Sequence, residues 1–523
     1  MTLYRIFCRT VSSLGLTLFA AGVLSSSSLC AELEPAIDHP DQNLIAKAKL
    51  EALEERFGKK PNILIFVVDD MGYGDPGIYG GGAIVGAPTP NMDRIGHDGL
   101  MLTSCYSQPT CSPSRATLMT GRLPIRHGIY RPPMYGEPGG LEGEITAASI
   151  LQDHGYRTQL VGKWHLGERE DQQPHNCGYD DFFGFLAVSN MYTEWRDKHF
   201  NPELYYDEDL TNLITRGWTQ HLAHGVKGEA LKEIKEIDID VLAELDQEFA
   251  EYSENFIRKM ADADEPFYLV HACSKVHFDS YPSEKFAGKS PAKHPYKDGI
   301  IEIDDVLGRL VKVLEETGQA ENTLVFVTSD NGPQEEIWPD SGVTPFRFGK
   351  GTTCEGGVRV PGIVYWPGMI EAGRVSDGLF DFADLFTTSL ALAGATEDIP
   401  EDRYIDGIDQ TSFLLAGDAK ESNRRAIYYW IMDDLSAVRI GSYKYYRKIF
   451  QVNDGYGGVM GGMEGSLATL PYGQLYNLHL DPKEMKPMLA RKTWMAPILT
   501  PLIGQHFQTL VRFPPKSAIV TIN

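Results

Sequence analysis

"PNILIFVVDD", Pro61 to Asp70, carries six apolar side chains in a row, Ile63 to Val68, and then ends on two carboxylates. A strand with one wet face alternates apolar and polar residues. An unbroken apolar run fits a strand covered on both faces, the situation inside a mainly parallel sheet with helices on either side. Three later runs share the pattern: "RTQLVGKWH" (Arg157–His165), "PFYLVHAC" (Pro266–Cys273) and "NTLVFVTSDN" (Asn322–Asn331). Helical periodicity fills the intervals, most clearly over Asp240–Met260 and Asp298–Gly318, and another helix, Ala46–Gly58, precedes the first strand and stops at a glycine. Strands alternating with helices predict an α/β fold: a large mixed, mainly parallel sheet sandwiched by helices. Near residue 425 the pattern changes. "RAIYYWIM", "SAVRIGSYKYYRKIF" and "GQLYNLHL" are aromatic-rich and alternating, which predicts a smaller antiparallel-sheet subdomain at the C-terminal end, with "GYGGVMGGMEGS" (Gly455–Ser466) as a loop. The expected divisions are 1–31 leader, 32–58 helical lead-in, 59–425 main α/β domain and 426–523 C-terminal α+β subdomain.

The chain has 523 residues, enough for one large core and a smaller one. Arg5 and Arg9 precede an apolar stretch, Leu14–Leu24, followed by small residues up to Ala31. That is the pattern of a secretory signal peptide, and Leu29 is too bulky for the position before a lipidated cysteine at Cys30. No later segment is long and apolar enough to span a membrane. Without Arg5 and Arg9, 46 basic residues face 72 acidic ones, a net of −26. Such a protein repels nucleic acid and anionic membrane, and an anionic substrate would need a concentrated local positive field. Five cysteines lie beyond the leader: Cys105, Cys111, Cys177, Cys273 and Cys354. An odd number leaves at least one unpaired, and Cys111 is the candidate; the other four are open to being thiols or two bridges. None of the fourteen asparagines sits in a glycosylation sequon, which favours a bacterial periplasmic or secreted protein over a lysosomal one.

In an open parallel sheet, ligands gather beyond the carboxyl ends of the strands. There the sequence places Asp69 and Asp70, then Asp330 and Asn331, then Lys163 and His165. A lone acid pair is usually a solvated turn. Two pairs, each closing a buried strand, point to a site where a cation sits between mutually repelling carboxylates. Three carboxylates and an amide make a hard oxygen set, suited to calcium, then magnesium, ahead of zinc. A second, basic set comprises Arg115, Lys163, His165, His277 and Lys350. "GKGTT" (Gly349–Thr353) is not a nucleotide-binding loop, since residue 344 is threonine where glycine is required and Gly351 replaces the Ser or Thr after the lysine. The signatures HExxH and GxSxG are absent from the chain.

The segment "CSPSRATLMTGR" (Cys111–Arg122) puts a cysteine directly ahead of a helical pattern. Its Cys-x-Pro-Ser-Arg followed by Thr-Gly-Arg resembles the signature of the sulfatase family, whose fold is that of alkaline phosphatase. "ILIFVVDDMGYGD", "TPNMDRIGHDG", "GKWHLG", "SKVH", "TSDNG" and "GKGTTCEGGVRVP" match family patterns in the same order. The resemblance is strong over roughly residues 60 to 370 and weaker through the C-terminal segment.

It implies that Cys111 is oxidised to formylglycine (3-oxoalanine) by a formylglycine-generating enzyme that needs Pro113 and Arg115 and acts before folding. It further implies metal ligands at Asp69, Asp70, Asp330 and Asn331, completed by residue 111. Arg115 and Lys163 would hold the aldehyde hydrate, Lys163, His277 and Lys350 the sulfate, and His165 would be the base. The implied activity is arylsulfatase-type hydrolysis of an aryl or carbohydrate sulfate ester to an alcohol or phenol plus sulfate. The alternatives are a phosphate or phosphonate monoester hydrolase of the same fold and, in another class, a non-catalytic protein that binds sulfated glycan. His271 competes with His277 for its role because "HACSKVHF" holds both. Ser189 falls near a sulfate-contacting serine of the family, but its flanking residues differ and it is not assigned that role. The segment from Met191 to about Gly228 matches no motif and is expected on the pocket rim.

Overall fold

The computed structural model describes residues 32–133, 137, 139–188, 196–215, 220–417, 421–451 and 466–516. The leader, Ser189 and most of the Gly455–Ser466 segment lie outside the described residues.

Among the described residues the large sheet has eleven strands, ten of them in one continuous path: β1 Asn62–Val68, β2 Leu100–Tyr106, β3 Arg157–Lys163, β4 Asp181–Phe185, β5 His221–Val226, β6 Lys232–Glu236, β7 Phe267–Ala272, β8 Thr323–Ser329, β9 Arg359–Tyr365 and β10 Arg374–Ser376. Their order is β10-β2-β9-β8-β1-β7-β3-β4-β5-β6, and Phe380–Asp381 adds a short parallel pairing to β2. The centre, β8-β1-β7-β3-β4, is parallel throughout, with Ile63 opposite both Leu324 and Tyr268. Antiparallel partners flank it: β9 on one side, β5 and β6 on the other. The sheet is therefore mixed and mainly parallel.

All seven residues of β1 are buried, as the apolar run requires. Ile63, Ile65 and Val67 enter one core with the Cys111–Thr120 and Phe382–Ala393 helices. Leu64, Phe66 and Val68 enter the opposite core with the Ile239–Met260 and Pro295–Glu316 helices. One strand thus feeds both layers of a helix–sheet–helix sandwich. Each such side chain contributes about 1.5–3 kcal/mol by burial, and truncating Leu64 to alanine would cost about 2–5 kcal/mol.

The lead-in helix spans Pro40–Phe57, six residues earlier at its start than its apolar spacing suggests. Pro40 supplies a pre-set first-turn φ, and Gly58 ends the helix in the left-handed region at φ 68°. The segment expected on the pocket rim is divided. His221–Val226 is β5, paired with β4 inside the large sheet, so the end of that segment builds the sheet. Asp197, near its beginning, accepts a hydrogen bond from Tyr281 Oη at 2.8 Å, next to the loop that carries His277.

Four further strands, β11 Ala426–Ile431, β12 Asp434–Ile440, β13 Tyr443–Gln451 and β14 Ser466–Asn477, make an antiparallel sheet in sequence order. One face packs Ile427, Tyr429 and Tyr446 against Tyr106, Cys354 and Val358 of the large body. The Ala496–Arg512 helix covers the other face through Leu510, beside Trp430 and Leu435. All five described cysteines are thiols, so neither of the two possible bridges forms. No helix among the described residues is long and apolar enough to cross a membrane.

Candidate active site

Because β8, β1, β7 and β3 run the same way, their carboxyl ends open on one edge. Asp69 and Asp70 follow β1, Asp330 and Asn331 follow β8, and Lys163 closes β3 with His165 two residues on. β2 also ends at this edge, and its continuation begins the Cys111–Thr120 helix, all ten residues of which are buried. β9 runs the other way and therefore starts here, bringing Lys350 in on the turn before it. Asp70 (φ 60°) and His165 (φ 61°) both occupy the left-handed region, a strained conformation that turns each side chain at its strand end.

Three carboxylates, Asp69, Asp70 and Asp330, each bring an oxygen within 4.8 Å of the others. Asn331 joins them: its Nδ2 donates to Asp70 Oδ1 at 2.6 Å, while its Oδ1 is buried with no hydrogen-bond partner. A buried acceptor in that state costs roughly 1–3 kcal/mol unless something electropositive meets it. The donor set is all oxygen, which fits a hard divalent cation. A second cluster, Glu34, Asp406 and His506, also brings ligand atoms together. It holds two carboxylates and an imidazole whose Nε2 already accepts from Trp430 Nε1 at 3.3 Å, so its donor set is not the all-oxygen one of the first cluster.

Cations match the three carboxylates. Lys163 Nζ donates to Asp69 Oδ2 at 2.6 Å and Lys350 Nζ to Asp70 Oδ2 at 2.7 Å. Arg115 gives Asp330 Oδ2 two bonds, from Nε at 2.9 Å and Nη2 at 2.7 Å, and its Nη1 donates to the Lys163 carbonyl at 3.1 Å. Burial alone would raise the Asp70 pKa, but Lys350, His277 and Lys163 outweigh it and hold the carboxyl below its ordinary value. Asp330 goes the other way: burial and the charge of Asp69 raise it against the pull of Arg115. Two carboxylates displaced in opposite directions are what close like charges produce.

Cys111 is 2% exposed, and burial raises its thiol pKa against the pull of Lys163 and Lys350. His165 is held with its carbonyl on Ser112 Oγ at 2.8 Å, and neither ring nitrogen has a hydrogen-bond partner. Burial first, then Lys163, Arg115, His277 and Lys350, depress its pKa well below the ordinary histidine value. His277 is depressed well below it too, by burial and then Lys350, with Asp70 opposing. Its Nδ1 lies 2.7 Å from the Phe278 carbonyl and so carries the proton, leaving Nε2 to accept from Lys350 at 3.1 Å.

The edge thus collects Cys111, Arg115, Lys163, His165, His277, Lys350, Asp69, Asp70, Asp330 and Asn331. It does not collect His271, which lies inside β7, bonded to Ser253 at 2.8 Å and stacked on Phe66. Two supports went unnoticed in the sequence. Ser112 fixes His165, and Lys275, paired with Asp246 and Glu302 in the interior, anchors the loop that leads to His277. Ser112 lay within a motif already singled out; nothing local marks Asp246 or Glu302.

This fold, with its polar edge, defines a hydrolase of the alkaline phosphatase-like class. The Sulfatase family model matches residues 61–395, more than half of the chain, and a model for the C-terminal domain of AslA-type sulfatases matches 436–511. The chain belongs to the sulfatase family and is a sulfuric ester hydrolase. It is 36% identical to the N-acetylgalactosamine-6-sulfatase of Canis lupus familiaris over 87% of each chain. It is 33% identical to arylsulfatase A of Homo sapiens over 74% of each. Among solved structures, the PsFucS1 sulfatase from Pseudoalteromonas sp. superposes with a TM-score of 0.89 at 42% identity, covering 93% of this chain and 98% of that one. The phosphonate monoester hydrolase of Agrobacterium radiobacter shares the fold, at 18% identity and a TM-score of 0.53 over 87% of this chain and 96% of that one.

Proposed function

We propose that this chain is an exported carbohydrate sulfatase working through formylglycine at position 111 and a calcium ion. The observation that carries the reading is the meeting of Asp69, Asp70 and Asp330 within 4.8 Å, ringed by Lys163, Arg115 and Lys350 and adjoining Cys111. Asp69, Asp70, Asp330 and Asn331 would hold the cation, which supplies Lewis-acid polarisation of the sulfate and acidifies a hydroxyl. Formylglycine supplies, as its hydrate, two hydroxyls on one carbon, one to attack sulfur and one whose deprotonation releases the sulfate afterwards.

The rest belongs to the chain's own side chains. Lys163 and Lys350 bind the sulfate and offset its charge in a buried site, where such contacts are strongest, and neutral His277 adds a polar contact beside Lys350. Arg115, rigid through Asp330 and the Lys163 carbonyl, holds residue 111 with Lys163. His165, kept neutral by burial and then by its cationic surroundings, accepts the proton from residue 111. The Lys350–His277 pair sets an N–H donor beside a proton-accepting nitrogen, where the departing oxygen needs a proton. Position 111 at the start of a helix favours developing negative charge there. Cys111 and Arg115 are buried in the folded chain, which agrees with modification before folding by a formylglycine-generating enzyme.

A sulfated sugar is the substrate we favour. One similar protein is named for N-acetylgalactosamine 6-sulfate, and another, Ps i-CgsB, was crystallised with k-i-k-neocarrahexaose (26% identity, TM-score 0.65). The signal pattern at the N-terminus supports export to the periplasm or medium. Parallel assays of 4-nitrophenyl sulfate, 4-nitrophenyl phosphate and a panel of sulfated mono- and oligosaccharides test the reading, on protein whose Cys111 peptide has been weighed. Turnover of sulfated sugars over phosphate supports it. Preference for phosphate would favour the phosphomonoesterase, and an unmodified, inactive protein that binds sulfated glycan would favour the binder.

A further inference from the structure

Lys444, on β13 of the C-terminal sheet, is fully buried although it carries an ammonium. It donates to the Thr353 carbonyl at 2.6 Å and to Glu355 Oε1 at 2.8 Å, and lies 3.4 Å from Glu484. Tyr446, two residues on, donates to the same Thr353 carbonyl at 3.1 Å and to Glu484. Thr353 Oγ1 meets Ser436 Oγ of β12 at 2.7 Å, and the Glu355 N–H donates to Glu484 Oε2 at 2.9 Å. All of these contacts except the two that Lys444 and Tyr446 make to Glu484 end within five residues of Lys350, on the turn between residues 349 and 355. The turn has no regular structure up to Cys354. Upstream it is fastened to the large body by the Lys350 N–H to Pro333 O at 2.8 Å and the Gly351 N–H to Pro109 O at 2.7 Å. Downstream, the C-terminal sheet holds it. Glu355 also accepts from Tyr106 Oη at 2.7 Å, on the strand that leads to Cys111.

We infer that Lys444 is a positioning residue for the sulfatase reaction: from the C-terminal sheet it fixes the 349–355 turn so that the Lys350 ammonium is presented to the sulfate. This rests on the reading of Lys350 as a sulfate-binding group. Stability alone is a poor reason to bury such a cluster. Removing an ammonium and two carboxylates from water costs several kcal/mol per ion, and apolar packing would serve the fold as well. What an apolar contact lacks is direction. Two donors converging on one carbonyl hold the peptide at Thr353 in a single orientation, three residues from the lysine whose long, flexible side chain must reach one place. The active site is then built across the boundary between the large domain and the C-terminal sheet.

The test is made on the full chain with verified modification at residue 111. Its readouts are KM and kcat for 4-nitrophenyl sulfate, the inhibition constant of inorganic sulfate, and the melting temperature. Lys444→Met takes a positive charge from beside two buried carboxylates, so Tyr446→Phe and Ser436→Ala, each removing hydroxyl bonding around Thr353, are made alongside it. The expected result is a rise of about threefold to tenfold in KM and in the sulfate inhibition constant, with kcat within about twofold, in variants that melt as the parent does. In a Lys350→Ala background the same substitutions should change sulfate inhibition by less than about 1.5-fold, because the group they position is gone. Sulfate affinity unchanged in folded Tyr446→Phe and Ser436→Ala chains overturns the inference, as do equal losses with and without Lys350. Undiminished sulfate affinity in Lys350→Ala alone is a separate failure: it overturns the assignment of Lys350 on which the inference depends.

Discussion

Lys163 donates to Asp69 across 2.6 Å, and neither side chain is exposed to solvent. Arg115 on Asp330 and Lys350 on Asp70 repeat the arrangement, so the three carboxylates of the site each face a basic group within the protein. Charges balanced in this way do not need a metal to keep the chain folded. Chelation should therefore abolish turnover while leaving the circular dichroism and a cooperative melt in place. Calcium restored at 100 times its dissociation constant should add about 2.7 kcal/mol by mass action. A chelated protein that unfolds outright would contradict the balance described.

Asn331 is the proposed ligand with the least to do in the folded chain. Its Nδ2 is spent on Asp70 and on the Gly332 carbonyl at 2.9 Å, while its buried Oδ1 meets nothing. Asn331→Ala removes a neutral acceptor and one bond to Asp70, without stranding a charge. Calcium affinity, read by calorimetry, should fall at least about tenfold while the apo melting temperature changes little. Unaltered affinity would remove Asn331 from the ligand set.

Cys111 as a thiol is a poor nucleophile, because burial raises its pKa and the thiolate is the reactive form. Protein produced without the modifying enzyme should be folded, inactive, and slow to react with iodoacetamide at Cys111 under native conditions. Modified protein should show the mass loss of thiol-to-aldehyde conversion in the Cys111 peptide, together with full turnover. Cys111→Ala should be inactive with an unchanged melt, and undiminished turnover in that variant would end the formylglycine proposal.

The edge of the large sheet could be read from short segments because its chemistry is local. Each apolar strand ends on its own candidate site residues, and Cys111 and Arg115 keep fixed spacing on one helix that Gly121 caps. The family resemblance sets His277 ahead of His271, but the sequence holds no physical reason to exclude the latter, since His271 lies in the last part of β7 and His277 in the loop just after it. Only packing on Phe66 and Ser253 takes the first of them out of the site. Lys444 was further still from view. In "SYKYYRKIF" it reads as a solvated lysine on an alternating strand, and its partner Glu355 lies 89 residues upstream. No local pattern encodes the burial of a charge that distant residues neutralise. β4 and β5 escaped notice for a related reason: they are short, and β5 lies toward the antiparallel margin, where burial is incomplete and the apolar run breaks up.

Acid should unfold this protein through its buried histidines. Burial lowers the His271 pKa to about 4, with Arg309 adding to the shift and Asp246 opposing it. His506, stacked on Tyr428 and accepting from Trp430 Nε1 at 3.3 Å, is lowered to about 3 by burial and Arg126, against Asp406. Both folded values lie below the unfolded value of about 6.5, so between them the unfolded chain binds protons that the folded chain refuses. The contribution is present in full above pH 6.5 and is lost as pH falls toward the folded values, by about 1.4 kcal/mol per pH unit for each histidine. At pH 4.5 the two together should remove on the order of 5 kcal/mol relative to neutral pH. Urea melts between pH 7.5 and 4.5 measure that slope. His271→Gln and His506→Gln keep an acceptor for Ser253 and Trp430 but cannot take up the proton, so each should flatten the slope by about one histidine's share. A pH dependence identical to the parent's in both variants would show that these rings are not the groups that titrate on unfolding.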